Sequence, residues 1–199
     1  MIKDLEWTRG PASLALTINI LIMGFLAPII AISINKYGNK KTLIFGWIAV
    51  VVTMILLGTV IRQLWIWTVL WGIIAPIGMA FCGFIPVITN VMLWFNVRRA
   101  TVLGIVMTGF ALGGFITQPL YTWLMGVTGS YQIGWFINAT AGCIALALTF
   151  FIIEKPEDLG QHPDGLDPED MDSTSAGKAA APKTYRSSVN WPLKAVFKT

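Results

Sequence analysis

Three lysines and two asparagines are concentrated in one short segment of an otherwise apolar chain. In AISINKYGNKKTLIF (31–45), Asn35, Lys36, Gly38, Lys40 and Lys41 lie within seven positions, between long apolar runs. Ammonium groups at this density can attract anionic lipid headgroups, each contributing about 1 kcal/mol. They can also set the orientation of a membrane protein, because cytoplasmic loops collect Lys and Arg. Orientation is the simpler account of the cluster.

A second set of polar residues, all uncharged, lies inside the apolar runs. Thr108 and Gln118 share one helix face with Gly104, because the residues that connect them are spaced three or four apart. Asn90 lies on a comparable face of the preceding run. An uncharged polar face within a membrane needs water or protein partners. Two interpretations stay open: these residues make helix-packing bonds, or Asn90, Thr108 and Gln118 line the path of a solute.

The helix that carries Thr108 also has a pattern of small residues. Gly109 and Gly113 are four apart, and such a small-x-x-x-small pair lets the backbone of another helix approach closely. Together with Gly104, they predict a helix-packing surface. Asn19 and Asn138, in the first and last runs, are interpreted as helix–helix or interfacial groups rather than as ligands.

The apolar runs contain no residue suited to acid–base catalysis. Asp, Glu, Lys, Arg and His are absent from all of them, so no intramembrane proton relay can be drawn. Cys82 and Cys143 lie in separate runs and resemble small apolar residues more than a disulfide or metal site. No glycine-rich phosphate-binding motif is present. The sequence therefore predicts no enzyme, no catalytic residue, no metal or cofactor, and no nucleic-acid partner.

The composition places these residues in helices that cross a lipid bilayer. The 199-residue chain is 55% hydrophobic and 12% charged, with a mean hydropathy of +0.69. One helix fills the bilayer core with about 20 apolar residues. The 54 uncharged residues of 100–153 suit two helices, with GVTGSYQ (126–132) as the turn. We predict an all-α membrane domain over 11–153 with five transmembrane helices, at about 12–34, 42–61, 65–93, 101–124 and 133–153.

Two of the predicted helices have distinctive sequence patterns. The 42–61 run is apolar on every face, which is typical of a peripheral helix that is exposed to lipid. The 65–93 run contains Pro76 and Pro86, which remove helix hydrogen bonds and predict kinks.

The cations alternate between the gaps that separate these helices. The 36–41 gap holds three lysines and the third gap holds Arg98 and Arg99, whereas the second gap holds Arg62 alone and the fourth holds no charge. Cytoplasmic loops collect Lys and Arg. We therefore predict a multi-pass protein of the plasma or inner membrane, with the lysine and arginine gaps and the C-terminus cytoplasmic and residues 1–10 outside. The orientation places Trp65, Trp67 and Trp71 in an outer aromatic belt, and Trp94 and Phe95 at the inner interface.

The C-terminal tail differs in composition from the membrane domain. Residues 154–199 hold eight acidic and six basic residues and include the small-residue stretch DSTSAGKAAAPKT. Such a composition buries too little apolar surface to form a core. The tail is predicted to be a cytoplasmic, largely disordered linker.

Two motifs resemble those of a known transporter family. AISINKYGNKK is similar to the loop between the second and third helices of major facilitator superfamily transporters, Gly-x-x-x-Asp-Arg/Lys-x-Gly-x-Arg/Lys-Arg/Lys. Lys36, Gly38, Lys40 and Lys41 match it, while Ala31 replaces the Gly and Asn35 the Asp. WFNVRRATVLGIVMTGFALGGFITQPL (94–120) resembles the approach to the fifth helix of the oxalate/formate antiporter and monocarboxylate transporter branches. The segments 7–16, 154–165 and 190–199 also resemble parts of those branches.

The resemblance implies a fold and a function. It equates the chain with helices two to six of the N-terminal six-helix half, so helix one and the second half are expected to be missing. The implied activity is alternating-access transport of a small organic anion, such as a mono- or dicarboxylate, with a proton or an exchange anion as a further candidate partner. Because Asn35 has no carboxylate, a charge-based gate lock at that position is not expected.

The chain is expected to be inactive alone and to need the other transporter half or a homo-oligomer, besides the lipid bilayer. The alternative is a non-transporting membrane interaction protein, or a split-half subunit that pairs with another chain.

Overall fold

A computed structural model describes residues 9–61, 63–95 and 98–161, and these residues form helices. The predicted N-terminal segment 1–10 lies mostly outside the described residues, and so do Arg62 and the tail beyond residue 161. The α-helices are α1 (Arg9–Tyr37), α2 (Asn39–Thr59), α3 (Leu64–Val69), α4 (Ala75–Cys82), α5 (Phe84–Trp94), α6 (Arg99–Thr128) and α7 (Gln132–Phe150), with a π-helical segment (Leu70–Ile74) between α3 and α4 and a 3-10 turn (Pro156–Leu159) after α7.

Five membrane crossings follow from these helices. Four are single helices, α1, α2, α6 and α7, and the third is the composite Leu64–Trp94. All five are long and apolar enough to cross a bilayer, so the predicted all-α membrane fold is confirmed. The helices extend several residues beyond some of the apolar runs, for example to Tyr37 in α1 and to Thr128 in α6. Long polar side chains near such ends can extend to the membrane–water interface, so a helix can continue beyond its apolar run.

Two glycines end helices by adopting backbone angles that other residues avoid. Gly38 has φ 91° and separates α1 from α2 as a single linking residue. Gly129 has φ 66° at the end of α6, and its N–H bonds to the carbonyl of Met125 at 3.0 Å. Glycine adopts positive φ without a side-chain clash, so it is the common residue just after a helix.

The third crossing is interrupted at its two prolines. Ala75 donates its N–H to the carbonyl of Leu70, five residues back, and Pro76 has no N–H to donate to the carbonyl of Trp71. The side chain of Asn19 on α1 supplies the missing donor, with Nδ2 2.7 Å from Trp71 O. The predicted helix–helix role of Asn19 is therefore what the structure shows. The second break falls at Gly83, just ahead of Pro86.

The central position of α2 corrects the expectation that this helix faces lipid. Half of its membrane-crossing window is buried, the largest share among the described crossings, and it packs against α4 and α7. Its buried residues Val50, Met54 and Leu57 lie in the apolar core. A uniformly apolar surface suits lipid and protein neighbours alike, because neither needs polar partners.

Three tryptophans fill the gap between α2 and its neighbours. Trp67 and Trp71 stack with ring centroids 5.5 Å apart, and both approach Trp135 of α7, at 5.9 and 5.4 Å. Trp65 is 64% exposed. Of the expected outer belt, Trp65 thus remains on the surface, whereas Trp67 and Trp71 are partly buried against the apolar core.

Glycines permit the close approach of α2 to α4. A Cβ at Gly46 would lie 2.5 Å from the backbone nitrogen of Cys82, and one at Gly78 would lie 2.8 Å from the backbone nitrogen of Val50. Such distances leave no room for a methyl group, so the two backbones meet directly. Close packing of this kind is the main source of helix association in lipid.

Gly46→Ala should destabilise the bundle, because the new methyl group forces α2 and α4 apart. Overpacking costs about 1–3 kcal/mol. We expect a lower thermal unfolding midpoint for the detergent-solubilised protein, followed by tryptophan fluorescence. Gly24→Ala is the matched control, since a Cβ on that exposed α1 glycine meets nothing within 4 Å. A Gly46→Ala midpoint equal to that of Gly24→Ala would contradict the packing.

Candidate functional site

Gly38 joins the two helix ends that carry the polar segment 35–41. Asn35 and Lys36 occupy the last turn of α1, and Lys40 and Lys41 lie in the first turn of α2. The five predicted loop residues therefore lie together at one end of the bundle, as two helix ends linked by one glycine rather than as an extended loop.

A carboxylate from a distant part of the chain lies against this junction. Glu154 follows the end of α7, and its Oε1 accepts a hydrogen bond from the backbone N–H of Asn39. A Cβ at Gly38 would lie 2.5 Å from the same oxygen. Asn39 begins α2, where backbone N–H groups lack helical partners and the helix dipole is positive. Glu154 thus caps and neutralises the start of α2.

Two side chains from the same turn of α2 reach other helices. Lys40 Nζ donates to the carbonyl of Phe150 at 2.8 Å, at the negative end of the α7 dipole. Asn39 Nδ2 donates to the carbonyl of Pro86 at 2.9 Å, and Asn39 is only 1% exposed. We call Gly38, Asn39, Lys40, Pro86 and Glu154 the junction cluster. It ties the start of α2 to the end of α7 and to the start of α5.

Sequence reasoning missed Glu154 and Asn39. Asn35, where the family pattern has a carboxylate, is exposed, and Glu154 supplies a carboxylate to the junction from 115 positions away. The place of Glu154 in the sequence could have indicated this contact. Glu154 is the first charged residue after the long uncharged stretch, so it lies at the same end of the predicted helices as the lysines.

Asn90, a candidate for the solute path, lies on α5 beside a cavity of about 260 Å³. Its Oδ1 is buried and receives no hydrogen bond from the described residues, and the same is true of Asn39 Oδ1. Trp94 also lines the cavity and donates its Nε1 to the carbonyl of Ile153 at 3.1 Å. The remaining lining residues are Val91, Phe95, Ile152 and Ile153. An orphan amide oxygen beside a cavity can accept a hydrogen bond from water or from a donor group of a ligand.

Thr108 and Gln118 lie on α6, the most exposed crossing among the described residues, with none of its membrane-crossing window buried. Thr108 Oγ1 donates to the carbonyl of Gly104 at 2.9 Å, so its hydroxyl hydrogen is already used within the helix. Gln118 is exposed and ten positions further on, which is about 15 Å along the axis. The two residues therefore lie on one open helix face and not in one pocket, and the cavity beside Asn90 is lined by neither.

The glycines predicted for helix packing also lie on the open surface of α6. A Cβ at Gly104, Gly109 or Gly113 would meet nothing within 4 Å. The described part of this chain thus supplies no neighbour for that surface, and the packing role stays a prediction. α6 contacts the bundle elsewhere, for example where Phe110 stacks on Phe84 of α5 with centroids 4.7 Å apart.

The predicted arginine pair lies where α6 begins. Arg98 is exposed at the N-terminal end of the helix, and Arg99 is the first helical residue. Among residues 9–61, 63–95 and 98–161, no group of three His, Cys, Asp or Glu side chains could hold a metal ion.

Glu154→Ala should destabilise the protein by about 1–2 kcal/mol, because α2 loses its cap and the favourable charge at its positive end. Glu154→Gln, which keeps an acceptor but loses the charge, should fall between Glu154→Ala and wild type. Thermal unfolding of the detergent-solubilised protein measures both. Asp158→Ala is the control, since the Asp158 carboxylate accepts a local bond from the N–H of Lys155 at 3.3 Å. Equal midpoints for the alanine variants at 154 and 158 would remove the capping role.

Comparison with known proteins agrees with this architecture. The model of the Major Facilitator Superfamily matches residues 1–197. A Fujikurins efflux protein of Gibberella fujikuroi is 27% identical over 106 residues, which are 53% of this chain and 22% of that protein. The chain thus aligns with less than a quarter of the length of this relative. Because the family model spans nearly the whole sequence, the chain belongs to the major facilitator superfamily of multi-pass membrane transporters.

Proposed function

We propose that this chain forms part of a transporter that moves a small organic anion, a mono- or dicarboxylate, by alternating access. The observation that carries the proposal is the open, uncharged polar face of α6. Gln118 is exposed there within a helix that crosses the membrane. In lipid its amide would lack hydrogen-bond partners, at a cost of several kcal/mol, so the face requires water or protein. A water-filled solute path meets that requirement.

The two predicted surfaces of α6 point in different directions. At 100° per residue, Gly109 and Gly113 lie about 160° around the helix from the centre of the face of Thr108 and Gln118. We infer that the glycine surface packs against a helix from outside the described residues, while the polar face borders the solute path. This arrangement places α6 between a partner helix and water, which suits a helix that takes part in alternating access.

The choice of a carboxylate rests on resemblance. The WFNVRR stretch (94–99) is similar to the corresponding segment of the oxalate/formate antiporter and monocarboxylate transporter branches. The name of the fungal relative supports outward transport. Charged side chains of the described helices lie at helix ends, such as Lys36 and Lys40, so the cation that holds an anionic solute would come from a second six-helix half or another copy of the chain.

For the orientation, we propose that the junction cluster, the Arg98–Arg99 pair and the C-terminus are cytoplasmic. In a background without Cys82 and Cys143, Lys41→Cys should be shielded from a membrane-impermeant thiol reagent in intact cells, whereas Thr128→Cys should react. Both positions are exposed at opposite ends of the bundle. Position 38 is unsuitable as a probe site, since a side chain there collides with Glu154. Labelling at 41 without labelling at 128 would reverse the orientation.

Transport itself is tested in liposomes that contain this chain alone or together with a chain that carries a C-terminal six-helix half. We expect saturable uptake of oxalate, formate, lactate or pyruvate for the pair and none for this chain alone. Gln118→Leu should lower uptake about tenfold or more, because a hydrogen bond to a charged group contributes about 1.5–3 kcal/mol. Gln132→Leu, at the exposed start of α7, is the matched control.

The same assay distinguishes carboxylate transport from transport of another solute and from a non-transporting interaction protein. Gly113→Leu should prevent association of the two chains, whereas Gly126→Leu, an equally open glycine near the end of α6, should not. Transport of another solute class would refute the carboxylate assignment. Association without transport of any solute would favour a non-transporting interaction protein.

A further inference from the structure

A groove of about 520 Å³ lies between α1, α2 and α4, next to Gly38. Its walls are apolar at one end and cationic at the other. The apolar part consists of Ile29, Ile32, Phe45 and Phe81, and the polar part consists of Ser33, Lys36, Tyr37, Lys41 and Thr42. From Ile29 to Lys36 the groove follows α1 for about 10 Å.

Among the described residues, the side chains of Lys36 and Lys41 donate no hydrogen bond at this polar end. Ser33 and Thr42 hydroxyls lie 3.1 Å apart, and Thr42 Oγ1 donates to the carbonyl of Gly38 at 2.8 Å. Lys36 Nζ lies 5.1 Å from the centroid of the Tyr37 ring, a contact that leaves its three N–H donors free to bind an anion. Lys40 of the same loop is directed to α7 instead, where it binds the carbonyl of Phe150.

The apolar part of the groove is open at the surface of the described residues. Ile29 is 51% exposed, Ile32 64% and Phe45 53%. Phe45 packs edge-on against Phe81 at 5.2 Å, which closes the floor of the groove between α2 and α4. Because α1 and α2 are long and apolar enough to cross the bilayer, these exposed side chains are placed to contact an acyl chain, and Lys36 and Lys41, at the helix ends, are placed at the headgroup level.

We propose that this groove binds an anionic phospholipid, with the phosphate between Lys36 and Lys41 and one acyl chain along Ile29, Ile32 and Phe45. The charge complements the two ammonium groups, and the length of the apolar wall suits a chain rather than a small soluble anion. The bound lipid bridges α1 and α2 across Gly38, so it should stabilise the junction. The proposal stands independently of the transported solute.

Native mass spectrometry of the full-length protein in detergent, titrated with phosphatidylglycerol or phosphatidylcholine, tests the site. We expect preferential retention of phosphatidylglycerol. Lys36→Gln and Lys41→Gln should each weaken it about fivefold, and the double variant about 25-fold, because each cation near an anionic lipid contributes about 1 kcal/mol. Lys155→Gln removes one exposed cation from the same end of the bundle, outside the groove, so it should retain the lipid as wild type does.

A second variant tests the acyl-chain part. Ile29→Trp fills the apolar groove and keeps both lysines, so it should fold normally but lose phosphatidylglycerol. This variant therefore tests lipid binding even if the double lysine variant fails to fold. The proposal is overturned if phosphatidylcholine binds equally well, if Lys155→Gln weakens binding as much as Lys41→Gln, or if Ile29→Trp binds as wild type does.

Discussion

The hydrocarbon core of a bilayer offers no water, so backbone groups that cross it must be satisfied within the protein. Long helices meet this constraint by themselves, and the interruptions show how side chains meet it elsewhere. Where Pro76 lacks an N–H, the helix widens and Asn19 of α1 donates to the carbonyl of Trp71. At the start of α5, Asn39 of α2 donates to the carbonyl of Pro86. The Asn19 bond replaces the donor that Pro76 lacks, whereas the carbonyl of Pro86 lies inside α5 and gains Asn39 as an additional donor. Both amides reach from one crossing to another, so these hydrogen bonds also join the helices.

Within the described membrane crossings, charged residues lie at the helix ends, where they can act on helix dipoles. Glu154 lies at the positive start of α2 and Lys40 at the negative end of α7, so each of these charges meets the dipole that favours it. In the first contact a carboxylate that follows α7 binds the start of α2, and in the second a lysine of α2 binds the end of α7. Because α2 is the central helix and packs against α4 and α7, the position of its first turn affects most of the bundle. The polar segment of the loop therefore has a structural role besides its predicted role in orienting the protein.

Much of the fold could be predicted because its signal is local. Charge-free runs revealed the five crossings, and the prolines indicated the interrupted third one. The neighbours of each helix could not be predicted, because lipid and protein surfaces are both apolar: α2 has the pattern of a peripheral helix, yet its glycines, such as Gly46, bring it to the centre. At the candidate site, the loop residues were recognisable from their spacing. Glu154 was not, since a contact over 115 positions leaves no periodic trace.

The exposed polar face of α6 raises a question about the proposed anionic solute: how an uncharged helix face could help to hold it. An anion in a low-dielectric path is costly unless a cation or several donors hold it. Gln118 offers an amide N–H₂, but Thr108 has already donated its hydroxyl hydrogen to Gly104. The face can therefore orient a carboxylate but not neutralise it. For the anionic solute proposed above, a transporter built on this helix would need a cation on the opposite wall of the path. Charge and orientation would then be supplied by different halves, and the solute would be held firmly only when both halves close around it.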